Sequence, residues 1–545
     1  MSKVAHYLQE HVTGEVLTSP DARRYFATDG SIFALLPAMV VYPQGESDIR
    51  KTARFTWQLA ERGRVIPMTA RGAGTDQSGA ALGTGIMVAF TAHMNRIVEF
   101  DSKSGVVVVE PGINYGKLQQ ALQTHGRFLP PFPASYEYST VGGAVANNAA
   151  GEKSVKYGST IDFVRSLRVV LANGEVIETG RLNKKEFNKK LGLSSFEGEL
   201  YRAIDTLLDE NKAVIEKSEL AVSKNSTGYN LLDIKRKDGS FDLTPLFVGS
   251  QGTLGIVTEV TLETANYNPQ TTLVAAMLEN FDDLQAAVSE IREKVPEASA
   301  IEMVDKHLLE MVQTINPNQL KGIIEAPFPA AVLLVELDEG GDRAQNKQTK
   351  KLEKILERYT QKIQVETDPI DQDKLWKIRH ASAAVSAHIS GTKKALPIIE
   401  DGIVPLNKFK QYIEGVYALF ARHRLDVAVW GHAGDANLHL QPFLDLSEVG
   451  DRQQVFSLMN EYYDLVIGLG GSTSAEHNDG RLRGPYLERL YGSELYAVFQ
   501  KVKQICDPYG TLNPGVKVNV TLEGIKPMVR SQFSMEHLYD HLPRT

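Results

Sequence analysis

Residues 429–443 read VWGHAGDANLHLQPF, two histidines seven residues apart around the turn-forming GHAGDAN. The stretch before Gly431 alternates as a strand, and LHLQPF places Leu438 and Leu440 on one face with His439 and Gln441 on the other, so a hairpin can carry His432 and His439 to one end of a sheet. Downstream, STSAEHNDGRLRG offers Glu476 beside His477. Two imidazoles and a carboxylate can hold a divalent cation and leave positions open for a substrate. The spacing is not specific to metal, however, and the two histidines alone read equally well as hydrogen-bonding polar residues. Two further stretches, TARGAGTDQSGAALGTG (69–85) and PASYEYSTVGGAVANNAAGEKSVKYGS (133–159), are runs of small residues. Their bare backbone N–H groups can converge on a pyrophosphate without a lysine. Small side chains at Gly142, Gly143, Ala144, Ala146 and Ala149 would let a flat cofactor lie against the backbone.

Elements of two kinds must position these groups. Residues 96–113 read as two strands joined by a turn at DSKSG; Asn114 then caps a helix with Leu118, Ala121 and Leu122 on its apolar stripe, and Gly126 ends it. From Thr271, TTLVAAMLENFDDLQAAVSEIREK, AAVLLVELDEG, QTKKLEKILERY and KIQVET alternate strand and helix. That pattern predicts a separate domain, an antiparallel sheet covered by helices on one face, with a boundary in the polar TANYNPQ. Val455, Leu458, Met459, Tyr462, Leu465, Val466 and Leu469 form a helical core stripe; Gly468, Gly470 and Gly471 follow that helix rather than a strand, the reverse of a nicotinamide-binding loop.

Composition limits the class. With 545 residues, 42% hydrophobic and 23% charged, the chain is a globular protein of at least two domains. A net charge of -8 without a long run of Lys and Arg gives no nucleic-acid footprint, which leaves a small molecule as the expected partner. The single cysteine, Cys506, excludes an intrachain disulfide, a cysteine-ligated iron-sulfur cluster and a cysteine-type zinc site. MSKVAHYLQEHVTGEV has neither a basic n-region nor a long apolar span, so a cytoplasmic location is expected, with peripheral contact at the inner face of the membrane left open.

RGAGTDQSGAAL, VEPGINYGKLQQAL, YSTVGGAVANNAAG, FVGSQGTLGIVTEVTL and DPYGTLNPGVKV, in that order from Pro37 to Val518, resemble the vanillyl-alcohol-oxidase (PCMH-type) FAD-binding oxidoreductases. Within them the branch is that of glycolate oxidase, D-lactate dehydrogenase and D-2-hydroxyglutarate dehydrogenase, and the C-terminal third looks most like the flavin module of iron-sulfur-fused members. The resemblance implies an α+β fold: a PCMH-type two-subdomain FAD-binding domain (1–267), an α/β cap domain with an antiparallel sheet and the metal site (268–480), and a C-terminal segment returning to the FAD domain (481–545). It implies that Arg71, Gly72, Ala73, Gly74, Thr75, Ser78 and Gly79 form the pyrophosphate loop. Ser139, Thr140, Val141, Gly142, Gly143, Asn147 and Gly151 would line the adenosine and diphosphate side, with Ile256, Val257 and Asn513 also touching the flavin. The loop GAGTDQ has no histidine, so FAD is expected to be non-covalent, and Asp76 and Gln77 are read as surface turn residues.

By the same resemblance His432, His439 and Glu476 are the metal ligands, His477 the catalytic base and Arg379 the arginine that binds a substrate carboxylate. The implied cation is divalent, zinc first, with manganese or iron(II) as alternatives. The implied reaction is oxidation of a D-2-hydroxy acid, D-lactate or D-2-hydroxyglutarate, to the 2-oxo acid: the hydroxyl proton leaves to His477 as hydride passes to flavin N5. Four positions depart from the pattern: Ile399 where some 2-hydroxyglutarate enzymes carry lysine, Ala383 for a hydroxyl residue, Gln441 for asparagine, and Asn478 for glycine, Asn being tolerant of a left-handed backbone. Electrons would pass to a quinone, a soluble carrier, a separate iron-sulfur protein or oxygen, and a homodimer is allowed. The competing readings are a flavin oxidase or another reaction on this scaffold, and a non-catalytic flavin subunit of an iron-sulfur complex.

Overall fold

A computed structural model describes residues 2–382 and 392–538; Ala383 lies outside them. The first sheet has four strands in the order Glu15–Leu17, Met39–Tyr42, Ile86–Ala89, Met68–Arg71, and its last three are parallel. MVVY and IMVA are buried at every position, as strands covered on both faces must be. The crossover helix Glu46–Glu61 sets Ile49 and Ala53 against Met39, Val41, Met68, Ile86 and Val88. The glycine-rich stretch from Gly72 therefore leaves the carboxyl end of a parallel strand, the end at which open α/β sheets take ligands.

The second sheet is antiparallel, in the order Ile97–Asp101, Val106–Val109, Ile256–Glu263, Val164–Val170, Val176–Glu178. Ile256, Thr258, Val260 and Leu262 point inward with the period of two that one solvated face demands. The helix Tyr115–Gln123 follows, with the Asn114 side chain accepting from the Lys117 amide at 3.0 Å and Gly126 at φ +67° just beyond its end.

Seven strands make the third sheet, in the order Ile363–Glu366, Thr272–Leu278, Ala331–Leu337, Ala298–Asp305, Val429–His432, Asn437–Leu440, Gly402–Ile403. Every pairing in it is antiparallel. Helices cover both faces, not the single face expected from sequence. Val274, Ala276 and Leu278 share a core with the helices Phe281–Lys294, Phe409–His423 and Val449–Gly468. Leu273 and Ala275, facing the other way, pack with Lys306–Ile315 and Pro369–Arg379. The reason is in the strands: AVLLVEL is apolar at nearly every position and buried at all of them, so neither side can face water. The chain then returns to its first half. The helix Leu487–Cys506 sets Val498, Phe499 and Val502 into the core of the second sheet, and the Met68 amide donates to Thr511 O at 2.7 Å. No helix of the described residues is long and apolar enough to cross a membrane.

Candidate functional site

A single cleft runs from the Gly72 loop to the histidine hairpin, with a cavity volume of about 370 Å³. That lies within the roughly 300–1,000 Å³ of a small-ligand pocket. At one end lie residues 70–77 and the backbone of Thr140, Gly142, Gly143 and Gly151; at the other lie Arg379, His432, His439, Glu476 and His477. The walls are close because they carry no side chains. A Cβ on Gly72 would sit 2.2 Å from Thr140 Oγ1, and one on Gly142 2.5 Å from the Pro111 side chain. On Gly151 a Cβ would meet the Phe132 carbonyl oxygen at 2.0 Å. Gly151→Ala should therefore cost about 1–3 kcal/mol and lower flavin content. The ratio of visible to ultraviolet absorbance of the purified protein, with its thermal unfolding, checks this; full flavin occupancy and unchanged unfolding would contradict it.

The glycine-rich end fits an anion. Arg71 is 1% exposed and its guanidinium lies over the Phe26 ring at 5.4 Å. Its Nε and Nη2 are buried without a hydrogen-bond partner, as is Ser139 Oγ. Orphaned donors of this kind are costly unless a ligand takes them up. Ala73, Gly74, Thr75, Ile256, Val257 and Asn147 also line the cleft. Ser78, Gly79, Val141 and Asn513 stand behind it. Ser78 Oγ donates to Asp76 Oδ1 at 2.9 Å, a Cβ on Gly79 would strike the Phe33 ring, Val141 lies in the second core, and the Asn513 amide donates to Ala80 O and Gln251 O, both at 2.8 Å. These residues hold the loop from behind. Asp76 and Gln77 are corrected from surface turn residues to cleft-lining ones. Asp76 accepts from Asn147 Nδ2 at 3.0 Å and from the Ala80 amide at 2.8 Å. Gln251, which drew no attention in the sequence, ties this network together by donating to Asn147 Oδ1 at 2.9 Å and Ser78 Oγ at 3.1 Å; an acid that must satisfy several amides of its own tight loop cannot turn to water.

At the other end the hairpin does what alternation requires. Trp430 pairs with His439 across the strands and His432 stands two residues on, so both imidazoles share a face. His432 Nε2 and His439 Nε2 are 3.3 Å apart, and Glu476 Oε1 lies 3.1 Å from the first and 3.4 Å from the second. Three donors on bonds of about 2.1 Å at the tetrahedral angle would be about 3.4 Å apart. All three residues are buried, and the donor set fits a divalent cation. Asp401, His439, Glu476 and His477 also each bring a ligand atom within 4.8 Å of the others. Asp401, though, already accepts from Ser474 Oγ and from the Glu476 and His477 amides, the last two at 3.0 and 2.7 Å. It fixes the loop that presents Glu476 and His477.

Each of these groups has a buried partner behind it. His432 Nδ1 is 2.7 Å from Glu302 Oε1, and Glu302 Oε2 accepts from Arg379 Nε at 2.7 Å. Nε is so engaged, while the two Nη groups of Arg379, which lines the cleft, have no partner among the described residues. Glu400 Oε2 lies 2.5 Å from His477 Nδ1 and 3.6 Å from His439 Nδ1, while Arg483 pairs with its other oxygen. Lys224 donates to Glu476 Oε2 at 2.6 Å, so that Oε1 is the oxygen turned to the histidines. Burial pulls the His477 imidazole down, but Glu400 and Asp401 outweigh it and hold it up at about 10; His432, with Glu302 and Glu476 against burial and Lys224, is raised to about 9. A cation among the three ligands acts in the opposite direction on both rings. Asn478 is left-handed, φ +66°, and its Nδ2 donates to Asn147 O and Gly249 O at 3.0 and 2.9 Å, stitching this loop to the glycine-rich end of the cleft. Glu302, Glu400 and Lys224 were given no role from sequence. Glu302 alone carried a faint signal, a single acid inside the apolar SAIEMV; Lys224 lies in the polar SKNST and Glu400 beside Asp401.

Known proteins share this arrangement of domains. The FAD binding domain matches residues 37–180, and the C-terminal domain of FAD linked oxidases matches residues 268–516. The chain is 30% identical over 529 residues to a D-2-hydroxyglutarate dehydrogenase of Escherichia coli K12, across 93% of this chain and 50% of that protein. It is 29% identical over 482 residues to the glycolate oxidase subunit GlcD of Bacillus subtilis, across 88% of each. The chain spans about half the length of the D-2-hydroxyglutarate dehydrogenases it matches. Among solved structures, p-cresol methylhydroxylase with substrate bound superposes with a TM-score of 0.69 over 96% of this chain and 97% of that one, at 14% identity, a likeness of fold alone. The two matches and the shared fold agree: the chain carries the FAD binding domain and the C-terminal domain of FAD linked oxidases, on a PCMH-type fold.

Proposed function

We propose that the protein is a metal-assisted, FAD-dependent dehydrogenase that oxidises a D-2-hydroxy acid to its 2-oxo acid. The observation that carries this is the meeting, in one cleft, of three metal-spaced donors, a guanidinium whose two Nη groups have no partner among the described residues, and an imidazole whose Nδ1 faces the Glu400 carboxylate. Arg379 takes the substrate carboxylate. His477, its Nδ1 facing Glu400, presents Nε2 to the substrate hydroxyl and accepts its proton. Lys224 and Glu302 keep Glu476 and His432 turned inward. When bound, FAD supplies the hydride acceptor and a divalent cation on His432, His439 and Glu476 supplies the Lewis acid that acidifies the hydroxyl. In this reading residues 1–267 with 481–545 make the flavin unit and 268–480 the cap; zinc is the favoured cation; the flavin passes its electrons to a quinone, a soluble carrier or a separate iron-sulfur protein.

Dialysis against a chelator tests the proposal. Oxidation of the D-acid with an artificial electron acceptor is expected to disappear with flavin retained, and to return on adding zinc or manganese. His439→Ala should purify with less than a tenth of the wild-type metal. Turnover that survives complete metal removal would exclude the metal-assisted reaction.

A further inference from the structure

Glu152 stands at an unusual place in the cleft. It lines the substrate end together with Arg379, His432 and Glu476. It also lines a smaller side cavity with Phe132, Lys153, Trp376, Lys377 and His380, and among the described lining residues it alone belongs to both. Its Oε1 is 3.0 Å from His380 Nε2, a contact that joins the flavin side to the end of the helix carrying Arg379. The Glu152 side chain is 18% exposed. Burial would push its carboxyl up, but the His380 contact and the charge of Arg379 hold it below the usual carboxylate range, so it is ionised.

The charge inventory of the substrate end is then simple. Glu476 is matched by Lys224, and Glu400 by Arg483. Arg379 is the only lysine or arginine among the residues lining that end of the cleft, and it is already shared with Glu302. Lys153, on the far side of Glu152, is paired with Glu336. One carboxylate of a substrate finds a guanidinium fork. A second finds no lysine or arginine of its own among the described residues and meets the charge of Glu152 in a site of low dielectric, where like charges repel strongly.

We propose that Glu152 makes the site selective for 2-hydroxy acids bearing one carboxylate, by setting a fixed negative charge against the distal carboxylate of a dicarboxylate. The inference rests on the 2-hydroxy-acid reading above and narrows its substrate class. The test uses two ligands of equal chain length, 2-oxovalerate and 2-oxoglutarate, titrated into the FAD- and metal-loaded protein and followed by the perturbation of flavin absorbance. The wild type is expected to bind the monocarboxylate at least tenfold more tightly. Glu152→Gln should bring the two dissociation constants within about threefold, chiefly by tightening the dicarboxylate, and D-2-hydroxyglutarate should gain on D-2-hydroxyvalerate in kcat/KM to match. Equal or tighter wild-type binding of 2-oxoglutarate overturns the proposal, even if the variant fails to fold; so does a ratio unmoved in both Glu152→Gln and Glu152→Ser. If no D-2-hydroxy acid reduces the flavin, the dehydrogenase reading falls, and the two dissociation constants still decide the discrimination by charge.

Discussion

His477→Ala is expected to lower kcat for the D-2-hydroxy acid by about 10²–10⁴-fold with flavin and metal content unchanged. An unassisted alcohol gives up its proton far too reluctantly for hydride transfer at neutral pH, so the group that receives the proton governs the rate. His477 is suited to this on three counts. Its Nδ1 faces the Glu400 carboxylate at 2.5 Å, which leaves Nε2 as the working atom; its ring stacks on His439 at 5.3 Å and 17°, which limits rotation; and at 28% side-chain exposure it is the most open of the four groups at this end. Removing it leaves Glu400 still paired with Arg483, so the variant should fold. Rapid mixing with substrate under anaerobic conditions reads the step itself: the first-order rate of flavin reduction should fall, and added imidazole should recover part of it through the opened space. Reduction at the wild-type rate would assign the proton to another residue.

The second large effect lies behind the ligands. Glu302 is wholly buried in the middle of the strand Ala298–Asp305 and gives one oxygen to His432 Nδ1 and the other to Arg379 Nε. Glu302→Ala leaves the Arg379 charge buried and unpaired, and breaking such a pair costs about 3–5 kcal/mol. Loss of the oriented imidazole should also lower metal affinity by about 10–100-fold. Glu302→Gln separates the two consequences. It keeps the shape and one good contact, but if its oxygen stays on Arg379 its amide donates to His432 Nδ1, which moves the ring proton to Nε2 and removes a metal lone pair. The glutamine variant is therefore expected to be nearly as stable as the wild type and still to bind metal at least tenfold more weakly. Equilibrium dialysis with zinc, set beside chemical denaturation, measures both; wild-type metal affinity in the glutamine variant would show that Glu302 does not set the ligand.

How much of this was legible in the sequence depends on the range of the signal. The glycine-rich loops, the Asn114 cap and the inward alternation of the hairpin are local, and each residue type already carries its reason. Asn478 at φ +66° is local in the same sense. The cover on both sheet faces was readable in principle from the unbroken apolar run of AVLLVEL, yet alternating strand and helix segments suggested a half-covered sheet. Glu302 and Glu400 were not legible. Glu302 meets His432 across 130 positions of chain, and Glu400 reaches His477 only because the strand Gly402–Ile403 lies beside Asn437–Leu440 at the end of a seven-stranded order that no local pattern encodes. Asp76 was misread for the same reason: its polar type suggests solvent, while its partners Asn147 and Ala80 turn it into the inner side of a loop.

The most direct measurement is an anaerobic titration of the FAD- and metal-loaded protein with a panel of D- and L-2-hydroxy acids, read at the visible flavin band. Bleaching by at least one D-acid, absent with its L-enantiomer and abolished by prior removal of the metal, is the predicted result. A flavin band unmoved by every member of the panel, or bleached as readily without metal, would contradict the account.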